Sequence, residues 1–289
     1  MSDRPLGRSL IRLGAMALGR SRAHRQDVWP HLAVDRVAGE VRWHGRSLAR
    51  LVRLAEIVPP GAPLLAVVGS GPSLAAQTPE RLPPGSAILC NGAASLAGRV
   101  APLAVAVEDE RFVYRHAAML AGLDRGLPLL LSAAAMRAMA EHDASLLTGR
   151  PLALIDNLAK PVNAPRRRLD DPALDPILRR AGTAALSRDP DAGVVITGTV
   201  AFSAMQVALA AGPETILLAG IDLGNAASPR FYESPANMAE SGLLKGLPRI
   251  IAGFALARDE ARERGIRLSC ASPVSTLLGL GIPYDSRLA

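Results

Sequence analysis

Short runs of consecutive apolar residues, each closed by glycine or polar residues, recur along the chain from residue 64 onward. The first run, 64–68, has no polar alternation, which is typical of a strand buried on both faces of a sheet. The segment 69–72, Gly-Ser-Gly-Pro, then ends it. Because glycine permits tight turns and proline suits the first turn of a helix, we predict a sharp turn into a short helix over 72–77.

Further apolar runs alternate with segments of helical spacing. The predicted strands are 86–90, 103–107, 127–131, 152–155, 215–219 and 267–270. The predicted helices are 93–98, 110–122, 134–147, 197–211 and 248–264. Strands that alternate with helices indicate a parallel sheet wound on both faces, and such sheets bind ligands beyond the carboxyl ends of their strands.

The first 57 residues have a different pattern. Residues 4–20 place leucines beside arginines at helical spacing, which predicts a basic amphipathic helix, and 45–57 reads as a second helix ended by two prolines. Residues 1–56 hold 11 arginines and 5 acidic residues, so +6 of the net charge of +7 lies there. A basic arm on a nearly neutral body favours contact with an anionic surface such as lipid, with a merely solvated arm as the alternative.

Composition excludes several classes of protein. Aromatic residues are 3% of the chain, too few for a nucleic-acid reader that stacks bases. The two cysteines, Cys90 and Cys270, provide neither a disulfide framework nor metal-ligand spacing. No apolar run could span a bilayer and no signal peptide is evident. We therefore expect a cytoplasmic protein, at most peripheral at the inner membrane.

Five short motifs occur along the chain in a fixed order. They are Gly-Ser-Gly-Pro-Ser-Leu at 69–74, Cys-Asn at 90–91, Thr-Gly-Thr at 197–199, Gly-Ile-Asp at 220–222 and Ser-Cys-Ala-Ser-Pro at 269–273. The set resembles the bacterial sialyltransferases of glycosyltransferase family 42 and sialyltransferase-like proteins of surface-polysaccharide pathways. The resemblance covers residues 64–278 and is weak between 110 and 190.

This resemblance implies an α/β fold with a Rossmann-like, mainly parallel sheet, a variant of the A-type glycosyltransferase fold. It implies transfer of a sialic acid-like sugar or a 3-deoxy-octulosonic acid from a CMP-activated donor to a lipopolysaccharide or capsule glycan, without a cofactor or a metal ion. We divide the chain accordingly into a basic arm, 1–57, and a nucleotide-sugar-binding domain, 58–289. Within that domain, the proline-rich 158–193 forms an excursion and 225–246 a lid over the site.

The resemblance also implies donor-binding residues. The residues expected to face the donor phosphate and ribose are Gly69, Ser70, Gly71, Pro72 and Ser73. Those expected to line the cytidine and sugar are Asn91, Thr197, Gly198, Thr199 and Asp222, with Ser272 and Pro273 closing the far side. The candidate stabilisers of the leaving phosphate are Arg230, Tyr232, Lys245 and the backbone amides of 71–73.

The general base is a separate question, because the family's histidine in the lid has no counterpart. The last histidine of this chain is His142. Asp109, at the end of a predicted strand, and Glu233, in the predicted lid, are the candidate bases, and Tyr232 is a third candidate catalytic residue.

Two other functions remain open. One is a pterin pyrophosphokinase-like enzyme that uses ATP and a divalent cation, held by acidic residues such as Asp109 and Asp222. The other is a nucleotide-binding protein without turnover. A homo-oligomeric state is also left open.

Overall fold

The structure, a computed structural model, describes residues 4–224, 229–233 and 243–289. Its strands are β1 (Leu32–Asp35), β2 (Glu40–Trp43), β3 (Arg46–Arg50), β4 (Leu65–Val68), β5 (Ala87–Cys90), β6 (Ala104–Val107), β7 (Leu129–Leu131), β8 (Leu152–Leu154), β9 (Leu178–Ala181), β10 (Ala184–Ser187), β11 (Thr215–Ala219) and β12 (Arg267–Cys270). Its α-helices are α1 (Leu6–Met16), α2 (Leu54–Ile57), α3 (Glu110–Arg115), α4 (Ala117–Ala121), α5 (Ala133–Asp143), α6 (Val200–Ala211) and α7 (Leu243–Glu263).

A seven-stranded parallel sheet lies at the centre, in the order β12-β11-β4-β5-β6-β7-β8. The α/β class and the parallel sheet predicted from the apolar runs are confirmed, and each strand lies within two residues of its predicted bounds. The arrangement is consistent with a Rossmann-like fold. The chain advances from β4 outward to β8 and then returns to place β11 on the other side of β4. The order therefore reverses between β4 and β11, where doubly wound sheets form their ligand crevice.

Each face of the sheet carries its own core, because successive side chains of a strand point to opposite faces. Val67 and Ile88 face a core with α6, α7 and the antiparallel hairpin β9–β10. Ala66 and Leu89 face the other core, with α3, α5 and residues of β1 and β2. Both sides of the sheet are thus covered, which explains why its strands read as continuous apolar runs.

The predicted helix over 45–57 is wrong. Residues 32–50 form an antiparallel sheet, β1-β2-β3, and only α2 is helical. Trp43 pairs with Arg46, so His44 and Gly45 form a two-residue hairpin loop. Their φ angles of 48° and 76° are the conformation that a tight hairpin requires, and it directs the chain into a strand.

Other elements differ in extent. The predicted helix 110–122 is divided at His116 into α3 and α4, and 91–96 and 72–76 are 3₁₀ helices. The excursion 158–193 contains the hairpin β9–β10. Helix α7 begins at Leu243, so the end of the predicted lid is helical, while 225–228 and 234–242 lie outside the described residues. Among the helices described, none is both long and apolar enough to cross a membrane.

Candidate active site

The turns after β4 and β11 interlock at the point where the strand order reverses. A Cβ on Gly69 would lie 2.5 Å from the carbonyl oxygen of Gly220, and a Cβ on Gly220, whose φ is 59°, would lie 2.8 Å from the carbonyl oxygen of Gly69. Only glycine allows the two backbones to approach so closely. The glycines of the first motif therefore fit a packing requirement within the protein.

Asp222 holds the turns after β4 and β11 together through hydrogen bonds. Its buried carboxylate accepts hydrogen bonds from the Ser73 amide at 2.9 Å, the Ser73 hydroxyl at 2.6 Å and the Ser272 hydroxyl at 2.5 Å. Residues that follow β4, β11 and β12 are thereby held together. Asp222 thus lies beside the glycine turn, as its motif implies, but its hydrogen bonds are made to the protein itself.

The amides of 71–73, predicted to bind a phosphate, are engaged within the protein. The Gly71 amide donates to the Gly220 carbonyl at 2.7 Å, the Ser73 amide donates to Asp222, and Pro72 has no N–H. The 3₁₀ helix that begins at Pro72 has five residues, and the anionic group beside its first turn is the Asp222 carboxylate. Ser70 and Pro72 are half-buried in the same turn, and Pro273 is exposed beyond β12.

Asn91 and Tyr232 come together at the end of β5. Asn91 has a φ of 47°, and its buried Oδ1 atom has no hydrogen-bond partner. A Cβ on Gly92 would overlap the ring of Tyr232, so this ring packs directly on the backbone beside Asn91. The Tyr232 ring also meets His116 edge-on, with centroids 5.5 Å apart. Burial raises the pKa of Tyr232, while nearby Arg230 opposes the rise.

Glu108, the first residue after β6, is a carboxyl with a raised pKa at this edge. Burial raises its pKa to about 7. The Ser203 hydroxyl of α6 is near enough to oppose this rise, yet neither Ser203 Oγ nor Glu108 Oε1 has a hydrogen-bond partner. A carboxyl with this pKa and an unpartnered oxygen can exchange a proton near neutral pH.

Asp109, the preferred candidate base from the sequence, is engaged elsewhere. Its carboxylate caps α3 by accepting from the Arg111 amide at 2.9 Å, and it pairs with the Arg111 guanidinium at 2.9 Å. The side chain is 37% exposed. Glu108 directly follows the predicted strand 103–107 and precedes Asp109. Strand alternation, which turns adjacent side chains to opposite faces, is the sequence signal that separates the two carboxyls.

Glu233, the second candidate base, is bound to a neighbour. Its buried carboxylate accepts from the Arg230 guanidinium at 2.6 Å and from the Arg230 amide at 3.1 Å. The charge of Arg230 is therefore paired with that of Glu233. Lys245 is exposed on α7.

The segment before α6 supplies further unpaired polar groups. Thr197 is 3% exposed and its Oγ1 atom has no hydrogen-bond partner, while its carbonyl accepts from Arg249 at 2.8 Å. Gly198 has a φ of 111° and is exposed, and Thr199 precedes the helix without capping it through its side chain. The Phe202 amide, the third of α6, donates to the Thr199 carbonyl at 3.1 Å, while the amides of Val200 and Ala201 donate to no acceptor among the described residues. Such a helix start can bind an anion.

Three buried oxygen atoms without partners thus lie at one edge of the sheet: Asn91 Oδ1, Glu108 Oε1 and Thr197 Oγ1. Asn91 and Glu108 follow the adjacent strands β5 and β6, and α6 packs across both strands. Leaving a buried polar group unpaired costs about 1–3 kcal/mol, so native proteins rarely do it away from a ligand or water site. We call these three residues the polar cluster.

A cavity of about 760 Å³ opens at Glu108, the one member of the polar cluster that lines it. Glu108, Asp109, Asp156 and Ile196 line it from the sheet and the start of α6, and Ala15 lines it from α1. Burial raises the pKa of Asp156, although Arg36 pairs with it at 2.7 Å. The volume falls within the range of about 300–1,000 Å³ that is typical of small-molecule sites.

Comparison with known proteins adds no relative: no protein-family model, curated protein or solved structure matches this chain. Within the described residues, no group of three or more His, Cys, Asp or Glu side chains could hold a metal ion. Both cysteines are buried and free.

Proposed function

We propose that the protein is a glycosyltransferase that moves an acidic sugar from a CMP-activated donor to a cell-surface glycan acceptor. The observation that carries the proposal is the half-buried Glu108 carboxyl, with a pKa of about 7 and a buried Oε1 atom that has no hydrogen-bond partner, in the wall of a cavity at the carboxyl edge of the sheet. The acidic sugar and CMP rest on the resemblance to glycosyltransferase family 42.

Glu108 takes the place that the resemblance gives to a histidine. In the proposed step, the acceptor hydroxyl oxygen bonds to the anomeric carbon of the donor sugar while the bond from that carbon to the phosphate oxygen breaks. CMP leaves with the electron pair, and the hydroxyl proton goes to Glu108. A base whose pKa lies near the working pH is best suited to this transfer.

We propose that the donor phosphate binds at the start of α6. The amides of Val200 and Ala201, the helix dipole and the guanidinium of Arg249 favour an anion there. Asn91 and Thr197, whose side-chain oxygens lack partners, would accept from or donate to the polar groups of the nucleotide or sugar. The acceptor would occupy the cavity on the other side of Glu108.

The first test is nucleotide binding, measured as a thermal shift with CMP, CDP, UDP, GDP and ATP, the last with and without magnesium. A ligand that binds only the folded protein raises its apparent stability. We expect CMP to stabilise the protein, and Thr197→Val to reduce that stabilisation without lowering the stability of the free protein. Thr215→Val is the matched control, because Thr215 is a buried threonine at the start of β11, at the edge of the sheet opposite the proposed site. Stabilisation by magnesium-ATP and none by CMP would overturn the proposal in favour of a pyrophosphokinase.

The second test concerns Glu108. We expect Glu108→Gln to retain CMP binding and to lose turnover by about 10²–10⁴-fold, because the amide cannot accept the proton. Asp109→Asn, a change to the neighbouring carboxylate, should retain most of the turnover. Wild-type turnover should rise as the pH increases through 7, as Glu108 ionises. Near-normal turnover in Glu108→Gln would refute the assignment of the base.

A further inference from the structure

Helix α1 turns its apolar side away from the protein. Leu6, Leu10, Leu13 and Met16 are each between 59% and 87% exposed. Leucines at positions i, i+4 and i+7 form one continuous stripe along a helix, which we call the α1 stripe. A stripe of this kind normally faces a core, so its exposure on a surface marks a contact with something else.

The opposite side of α1 is polar and anchored. Arg8 is 3% exposed and donates to the Trp29 carbonyl at 2.8 Å and to the Gln26 carbonyl at 2.6 Å. It also lies 3.5 Å from a carboxylate oxygen of Glu110, with which Arg4 pairs as well. Turning the stripe inward would break this buried network, so the outward orientation of the leucines is fixed by the fold.

The surroundings of the stripe are aromatic and cationic. Leu18 and Trp29 are more than half exposed next to α1. Four exposed arginines follow along the same segment, and none of them pairs with a described acidic group: Arg12, Arg20, Arg22 and Arg25. Leucine and tryptophan beside unpaired arginines match the chemistry of an anionic lipid interface, where apolar side chains enter the acyl boundary and cations meet the headgroups.

We propose that α1 docks the protein on an anionic membrane surface through the α1 stripe, with these arginines contacting the headgroups. The proposal does not depend on the proposed transferase function, since it rests on the orientation of α1 and the charges beside it. Because Gly14, Ala15 and Leu18 also line the cavity, docking would bring the cavity next to the lipid surface.

The experiment is flotation of the full chain with vesicles of phosphatidylcholine alone or with phosphatidylglycerol. We expect binding to the phosphatidylglycerol vesicles at low salt, and loss of about tenfold or more in the partition coefficient for Leu10→Glu and Leu13→Glu. Arg20→Gln should weaken binding about fivefold, and high salt should weaken it further. Val274→Glu, at an exposed valine far along the chain, is the matched control and should bind as the wild type does.

Circular dichroism and thermal unfolding would establish that each variant is folded, and Leu13→Gln provides a milder second variant of the stripe. Three results would overturn the proposal. The first is no binding of the wild type to phosphatidylglycerol vesicles at low salt. The second is equal binding by Leu10→Glu, Leu13→Glu and Val274→Glu. The third is a dimer of the wild type that Leu10→Glu dissociates while vesicle binding is absent, since a second copy would then cover the stripe.

Discussion

Glu108 should make the protein less stable at alkaline pH, and this can be measured without knowing any substrate. Its pKa is raised from 4.5 to about 7 by burial in the folded protein. A carboxyl whose pKa is higher in the folded state favours folding most when it is protonated. Its contribution is therefore fully present below about pH 4.5 and is lost as the pH rises through 7. At 1.36 kcal/mol per pKa unit, the loss amounts to about 3 kcal/mol.

The perturbation is Glu108→Gln, which keeps the shape of the side chain and removes its ionisation. Urea unfolding at pH 5 and at pH 8 gives the free energy of unfolding of each protein. We expect the variant and the wild type to be similar at pH 5, and the variant to be more stable by about 2–3 kcal/mol at pH 8. Asp109→Asn serves as the control, because Asp109 is partly exposed and paired with Arg111.

The reasoning would be refuted if the difference in unfolding free energy between Glu108→Gln and the wild type were the same at both pH values. An equal gain in Asp109→Asn would show that charge at the sheet edge in general, rather than burial of Glu108, is responsible. The expected result would instead show that ionised Glu108 lowers the stability of the folded protein, as is common for catalytic groups.

Two further predictions concern stability and are tested by urea unfolding. Gly71→Ala should lower the free energy of unfolding by about 1–3 kcal/mol, because its Cβ would lie 2.5 Å from Asp222 Oδ2. Gly98→Ala, with open space around it, should change the free energy of unfolding by less than about 0.5 kcal/mol. Equal effects of the two substitutions would contradict the packing role of the turn. Arg137→Met should lower the free energy of unfolding by about 2–3 kcal/mol, since Arg137 is fully buried in ion pairs. Arg168→Ala, at an exposed arginine, should lower it by less than about 0.5 kcal/mol. A loss at Arg168 as large as that at Arg137 would show that burial does not decide the loss of stability.

The central sheet could be predicted because its strands are buried on both faces. Such strands have a signature that depends on no distant residue: the run 215–219 is apolar throughout apart from its first residue and is β11, with the same bounds. The antiparallel strands near the N-terminus lack this signature. Arg46–Arg50 carries two arginines and no buried residue, so its strand conformation comes from pairing with β2. The His44-Gly45 dipeptide was the local signal for that hairpin.

The candidate site was predicted in part, for a related reason. Asn91, Thr197 and Asp222 do lie at the carboxyl edge, because motifs that follow parallel strands are brought there by the topology. Which oxygens remain unpaired depends on contacts between distant segments. The Asp222 carboxylate accepts hydrogen bonds from Ser73 and Ser272, while Glu108 Oε1 is left without a partner. Burial of that kind cannot be read from one stretch of sequence, and it decides the chemistry.

The proposed position of the donor phosphate rests on the same contacts. A phosphate in the glycine turn would meet the Asp222 carboxylate, and two like charges about 4 Å apart repel by about 4 kcal/mol at the effective dielectric of a protein surface. The Gly71 and Ser73 amides of that turn already donate within the protein, and Pro72 has no N–H to offer. At the start of α6, by contrast, the amides of Val200 and Ala201 donate to no described acceptor, and Arg249 lies against Thr197. The glycine turn therefore aligns β4 with β11, and we propose that the anion binds one element away, at the start of α6.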